Sequence, residues 1–140
     1  MAVLGKRLMS AAGTAGVLAA TMLYVAAPAS AAEYSYDVIT YKYGDYPAAA
    51  GQEIFVTEGD NFQICDNSSD GAGVIGYWKL SSTGAVNSHY NGGGRNTCST
   101  SNQDFAESAT VYIKVCLRDD GVVVSNTCSE WYKGYADGVP

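Results

Sequence analysis

Apolar and polar residues alternate most cleanly over Val111, Ile113, Val115 and Leu117, which are interleaved with Tyr112, Lys114, Cys116 and Arg118. Period-two alternation of this length predicts a half-buried antiparallel strand. Asp119-Asp120-Gly121 follows, with residues that tolerate positive φ, and Val122-Val123-Val124 is apolar enough to return beside the first strand as a hairpin. Upstream, the pattern predicts strands within Glu33–Tyr46, over Gln52–Thr57 and Asn61–Asp66, and over Val74–Ser81. In the last of these Val74, Gly76, Trp78 and Leu80 share one face. Glu58-Gly59-Asp60 and the run Asp66–Gly73 (DNSSDGAG) have turn chemistry. Ser82–Asn102, with Gly92-Gly93-Gly94, gives no strand signal and reads as the longest irregular piece, and Gln103–Ser108 as one helical turn. No stretch sustains a 3.6-residue period. The expected fold is therefore all-β, a small disulfide-stapled antiparallel β-sandwich of about seven or eight strands.

The first 31 residues stand outside that pattern. Lys6 and Arg7 precede a long Ala-, Val-, Leu- and Gly-rich run that ends in Ala29-Ser30-Ala31. This is the order of a secretory signal with an A-x-A cleavage site. The expected organisation is a signal peptide over 1–31 and one domain over 32–140. Cleavage leaves 109 residues, enough for one core that gains from cross-links. It also lowers the 8 basic residues to six against 14 acidic ones, a net charge of −8. Nucleic acid and anionic membrane are disfavoured as partners by that sign.

Cys65, Cys98, Cys116 and Cys128 form an even set in an exported chain, which predicts two disulfides and an extracellular location. No C-x₂₋₄-C pair occurs and His89 is the only histidine, so a zinc site is not expected. An immunoglobulin-type Cys65–Cys116 bridge would need apolar residues two positions before each cysteine, where Gln63 and Lys114 stand. Those cysteines belong to the polar faces of their strands. A repeat suggests another pairing. Phe62-Gln63-Ile64-Cys65 then Asp70-Gly71 parallels Ile113-Lys114-Val115-Cys116 then Asp120-Gly121, and the units end in Asn96-Thr97-Cys98-Ser99 and Asn126-Thr127-Cys128-Ser129. The bridges expected from it are Cys65–Cys98 and Cys116–Cys128, each contributing about 3–4 kcal/mol through loop closure. In a regular hairpin Cys128 would lie about 10–13 Å too far along, so the chain must bend near Ser125-Asn126-Thr127.

Candidate chemistry is sparse. Asp66-x-Ser68-x-Asp70-Gly71 matches the opening of a calcium loop, but Tyr77 holds the position where a bidentate glutamate belongs, so a metal-free turn is expected. His89 has no nucleophile signature near it, and all four cysteines are expected to be oxidised; no catalytic residue, cofactor or metal is expected. Ten tyrosines and two tryptophans follow Ala31, and such side chains suit sugar stacking or a protein interface. Tyr77 and Tyr112 point away from the apolar faces of their strands and are the expected exposed pair. With His89 and Tyr90 of the glycine-rich stretch, they are the candidate binding residues.

The run Val115-Cys116 … Cys128-Ser129-Glu130-Trp131 after an Ala-rich signal resembles small secreted orphan proteins of actinobacteria, a group without an assigned activity. The resemblance covers the signal and the last third, and it implies export, disulfides and a β-fold. Secreted α-amylase inhibitors of the tendamistat type also pair two disulfides with a sandwich, but they present a Trp-Arg-Tyr triplet. Trp78-Lys79-Leu80 and Trp131-Tyr132-Lys133 do not match it. The functional expectation is a secreted, monomeric, non-catalytic module that binds an extracellular protein or polysaccharide. A carbohydrate-binding module, or an inhibitor of a secreted hydrolase acting through Ser82–Asn96, is the alternative. Protein recovered from an expressing culture should begin at Ala32, which intact-mass analysis of the medium would read directly.

Overall fold

The alternating stretch becomes the longest strand of a computed structural model that describes residues 34–139. The signal peptide expected over 1–31, with its cleavage site, lies outside the described residues. Nine strands form two antiparallel sheets packed as a sandwich. The first sheet runs β1 (Ser35–Ile39), β2 (Gly51–Val56), β3 (Asn61–Asp66) and β6 (Thr97–Asn102) in that spatial order. The second runs β5 (Asn87–Asn91), β4 (Gly73–Lys79) and β7 (Thr110–Asp119); beyond β7 lie β8 (Val122–Val124) at one end and β9 (Tyr132–Tyr135) at the other. The β7–β8 turn has positive φ at both central residues, 46° at Asp120 and 81° at Gly121, which matches the strand twist.

The two sheets close on an aromatic stack. Phe55 and Phe62 are direct partners across β2 and β3 with ring centroids 4.8 Å apart, and Trp78 of β4 lies 4.5 Å from Phe62. Phe105, on the connection from β6 to β7, packs at 6.0 Å from Phe62. That connection is not the helical turn expected over Gln103–Ser108. Its backbone is drawn to Asp60 instead, through Gln103 N–H to the carbonyl (3.0 Å) and Phe105 N–H to the carboxylate (2.7 Å). Leu80 lies beyond β4 and is exposed, so it leaves the face it was expected to share with Trp78.

Both expected bridges form, Cys65–Cys98 and Cys116–Cys128. Each lies on the outward face of its sheet, as Gln63 and Lys114 imply. The repeat units nevertheless differ in backbone. Cys65 and Cys98 are register partners across β3 and β6, whereas Ser125–Thr127 is a 3₁₀ turn that bends the chain back to bring Cys128 to Cys116. The bend leaves the middle of β7 without a strand neighbour on that side. Thr127 and Ser129 replace it: their hydroxyls accept from Leu117 N–H (3.0 Å) and Val115 N–H (3.1 Å). Buried amides without partners would cost about 1–3 kcal/mol each.

The expected irregular piece at Ser82–Asn102 contains β5 and β6. Both are edge strands, paired on one side only, and both are rich in Asn, Ser and Thr, so neither shows the apolar alternation that marks a strand in sequence. Tertiary contacts hold them. The Asn91 amide donates to the carbonyls of Ile64 (3.0 Å) and Thr97 (2.8 Å) across the gap between the sheets, while its oxygen accepts from Gly93 N–H and the Thr97 hydroxyl. The strand expected within Glu33–Tyr46 is shorter than its pattern, ending at Ile39.

Among the buried polar positions, Glu53 is the one set in the middle of a strand against the opposite sheet. Glu53 of β2 faces inward and is fully buried, with Oε2 accepting from Tyr77 N–H at 3.2 Å and Oε1 unpartnered. Space for it exists because Gly76 faces it; a Cβ there would lie 2.9 Å from the Glu53 carboxyl carbon and would also collide with Ile64. Burial holds the carboxyl well above the ordinary carboxylate range, and the amides of Tyr77 and Lys114 offset only part of this. The folded state therefore binds this proton more tightly than the unfolded chain. Stability is greatest below the unfolded value near 4.5 and falls as pH rises toward the folded one. Glu53→Gln removes that titration. Its melting temperature should exceed that of the parent at pH 8, by about 4–8 °C per kcal/mol released, and the gap should close at pH 4 when followed by circular dichroism.

Candidate functional surface

Register fixes which side chains share the outer face of the second sheet. Lys79 of β4, Tyr112 of β7 and Lys133 of β9 form one row across the strands, and Ser88, Tyr77 and Lys114 form the next. Tyr90, Ile75 and Cys116 follow, then Gly73 and Arg118. Four of the six basic residues that follow Ala31 therefore occupy one face. No carboxylate holds an outward position on any strand of that sheet; Asp119, at the end of β7, points inward and accepts from the Tyr46 hydroxyl at 2.7 Å. A chain of strongly negative net charge thus carries a local cationic surface.

The cations lie over rings. The Lys79 ammonium is 4.4 Å from the Trp131 ring centroid and 5.6 Å from that of Tyr112, and Lys114 is 5.8 Å from Trp131. The Arg118 guanidinium lies 5.0 Å from Tyr90, and Lys133 lies 5.0 Å from Tyr135. Contact with the Tyr135 hydroxyl raises the pKa of Lys133, keeping it cationic. Such cation–ring pairs contribute about 0.5–1 kcal/mol at exposed sites and also hold long side chains in place. Lys79 additionally donates to the Ser82 carbonyl at 2.7 Å. Between the rings and the second bridge lies a hollow of about 280 Å³, lined by Tyr77, Lys114, Val123, Trp131 and the Cys116–Cys128 pair.

The four candidate residues part company here. Tyr77, Tyr112 and Tyr90 share the face, but Tyr77 and Tyr112 are half-buried and not the exposed pair expected, because Lys79, Lys114 and Trp131 crowd them. Burial raises the pKa of the Tyr77 phenol, and the nearby Arg118 charge counters it in part. His89 is not an exposed loop residue. It sits on β5 opposite Gly76, faces inward, and its Nε2 lies 2.7 Å from the Ser99 hydroxyl of β6. It therefore joins the two polar edge strands, away from the aromatic face.

Lys79, Lys114, Arg118, Lys133 and Trp131 were absent from the sequence-based candidates. Alternation alone places Lys114 and Arg118 outward. Bringing Lys79 and Lys133 beside them requires the strand order and register. The chain matches no family model, no curated protein and no solved structure.

The two tryptophans should differ sharply in energetic role. Trp78→Ala should cost about 3–5 kcal/mol, as for a filled core site, and Trp131→Ala about 1 kcal/mol or less, as for an outward ring. Urea unfolding of both variants checks this; similar costs would mean that Trp131 belongs to the core.

Proposed function

We propose that the protein is a secreted, non-catalytic binding module that holds a polysaccharide bearing spaced acidic groups against the outer face of its second sheet. Two closed disulfides fit an oxidising, extracellular setting. The observation that carries the ligand chemistry is the placement of Lys79, Lys114, Arg118 and Lys133 around Trp131, Tyr112 and Tyr77, with no carboxylate at an outward strand position of that sheet. Rings give flat stacking area for sugar faces, and ammonium groups at their edges suit carboxylate or sulfate substituents.

Net negative charge does not oppose this. Screening at physiological ionic strength confines the whole-molecule field to about 8 Å, so at contact the local surface decides. A nucleic acid places a charge on every phosphate and meets the negative remainder of the surface along its length. A polymer with sparser acids, lying along one face, does not. The alternative, inhibition of a hydrolase through Ser82–Asn96, would act through a stretch that contains the edge strand β5 and the His89–Ser99 hydrogen bond.

The mature protein should be retained on immobilised hyaluronan or polygalacturonate but not on cellulose, and retention should weaken as salt rises. Lys79→Glu combined with Lys114→Glu should raise the dissociation constant at least tenfold while leaving the melting temperature within a few degrees. Equal binding by the double variant, or no retention on either acidic polymer, would refute the reading.

A further inference from the structure

The hollow beside the second bridge adds a chemistry that the cations around it do not explain. Val86, Val123, Trp131 and the Cys116–Cys128 pair give it apolar walls, while Tyr77, Lys114 and Ser125 bring a phenol, an ammonium and a hydroxyl. Register accounts for the mixture. Val123 stands opposite Arg118 on the outward side of β8, and Tyr77 is paired with Lys114 across β4 and β7. The 3₁₀ turn that begins at Ser125 returns Cys128 to Cys116 beneath them. Val86, from the connection between β4 and β5, is exposed. Val86, Val123 and Trp131 take no part in the core cluster, so their apolar surface is left for the outer face.

Size and lining together restrict the occupant. At about 280 Å³ the hollow falls just below the roughly 300–1,000 Å³ that whole small ligands fill, so it suits one substituent of a sugar whose ring stays outside. A carboxylate or sulfate there would lose water against valine and sulfur, at a cost that the open ammonium of Lys133 spares it. A plain hydroxyl leaves the apolar walls unused. A free amine is cationic and meets Lys114. An acetamido group answers each part of the lining. Its methyl group packs against Val86, Val123 and the disulfide, its carbonyl accepts from Lys114, and its N–H donates to the hydroxyl of Ser125 or Tyr77.

We infer that the hollow is a subsite for the acetamido group of an N-acetylated sugar, so that the polymer bound by this face carries N-acetylated units among its acidic ones. The inference rests on the reading of the face as a site for acidic polysaccharide, and narrows it. Lys79 already covers the Trp131 ring, so the subsite uses that side chain as a wall and not as a stacking platform.

The test compares a hyaluronan hexasaccharide with trigalacturonate, which carry equal numbers of carboxylates while only the first has acetamido groups. Each is titrated into the ¹⁵N-labelled mature protein and followed by amide chemical shifts. Hyaluronan should bind at least about fourfold more tightly, the factor that burial of one methyl group gives. In saturation-transfer experiments its acetyl methyl protons should receive the most saturation. Val123→Phe fills the hollow from an outward position and should weaken hyaluronan at least about fourfold, leaving trigalacturonate unchanged. Val86→Ser should act in the same direction; Val86 is an exposed loop residue, so this variant keeps the test decisive if Val123→Phe disturbs β8. Equal affinity for the two ligands, saturation strongest on ring protons, or variants that weaken both ligands alike would overturn the inference and leave the binding of acidic polymers standing. Binding of neither ligand would remove that reading and the inference with it.

Discussion

Each sheet is cross-linked on its solvent side, and most of the architecture follows from that placement. A bridge between sheets would occupy the centre of the sandwich, where Phe55, Phe62 and Trp78 instead stack without interruption. The Cys65–Cys98 bridge fastens to β3 the polar edge strand β6, which has little apolar surface of its own to bury. The Cys116–Cys128 bridge holds a turn that is not a strand against the middle of β7, close enough for Thr127 and Ser129 to complete its hydrogen bonding. Covalent closure thus substitutes for hydrophobic adhesion at the two places where the chain has least of it.

The same closure stiffens the surface proposed for binding. Trp131 follows Cys128 by three residues, and its ring borders the hollow beside the bridge. Lys79 and Lys114 are steered by that ring, so the cationic groups are partly ordered before any ligand arrives. Ordering in advance reduces the entropy lost on association.

How far the sequence discloses this differs by feature. The β7–β8 hairpin was legible because alternation, a two-residue positive-φ turn and β-branched residues all agreed. The disulfide pairing was legible from a chemical repeat, although the repeated tetrads adopt different backbones: what they share is an outward cysteine between two inward hydroxyls. β5 and β6 were not legible, since edge strands held by Asn91 and His89 have no reason to alternate in hydrophobicity. Glu53 and Gly76 lie far apart in the chain, and nothing local marks them as neighbours. The cationic face was half legible, as β7 alone gives Lys114 and Arg118 while Lys79 and Lys133 join only through register.

The polar character of β5 and β6 has a further effect on how the molecule behaves in company. Open strand edges invite a second chain to add on, and repeated addition builds fibrils. Here the two edges lie side by side at one margin of the sandwich, where Asn91 and His89 reach across to β3 and β6. A stranger approaching that margin finds hydrated amides and hydroxyls already engaged with each other, with no apolar strip to hold it. The polarity of that seam thereby disfavours polymerisation along it.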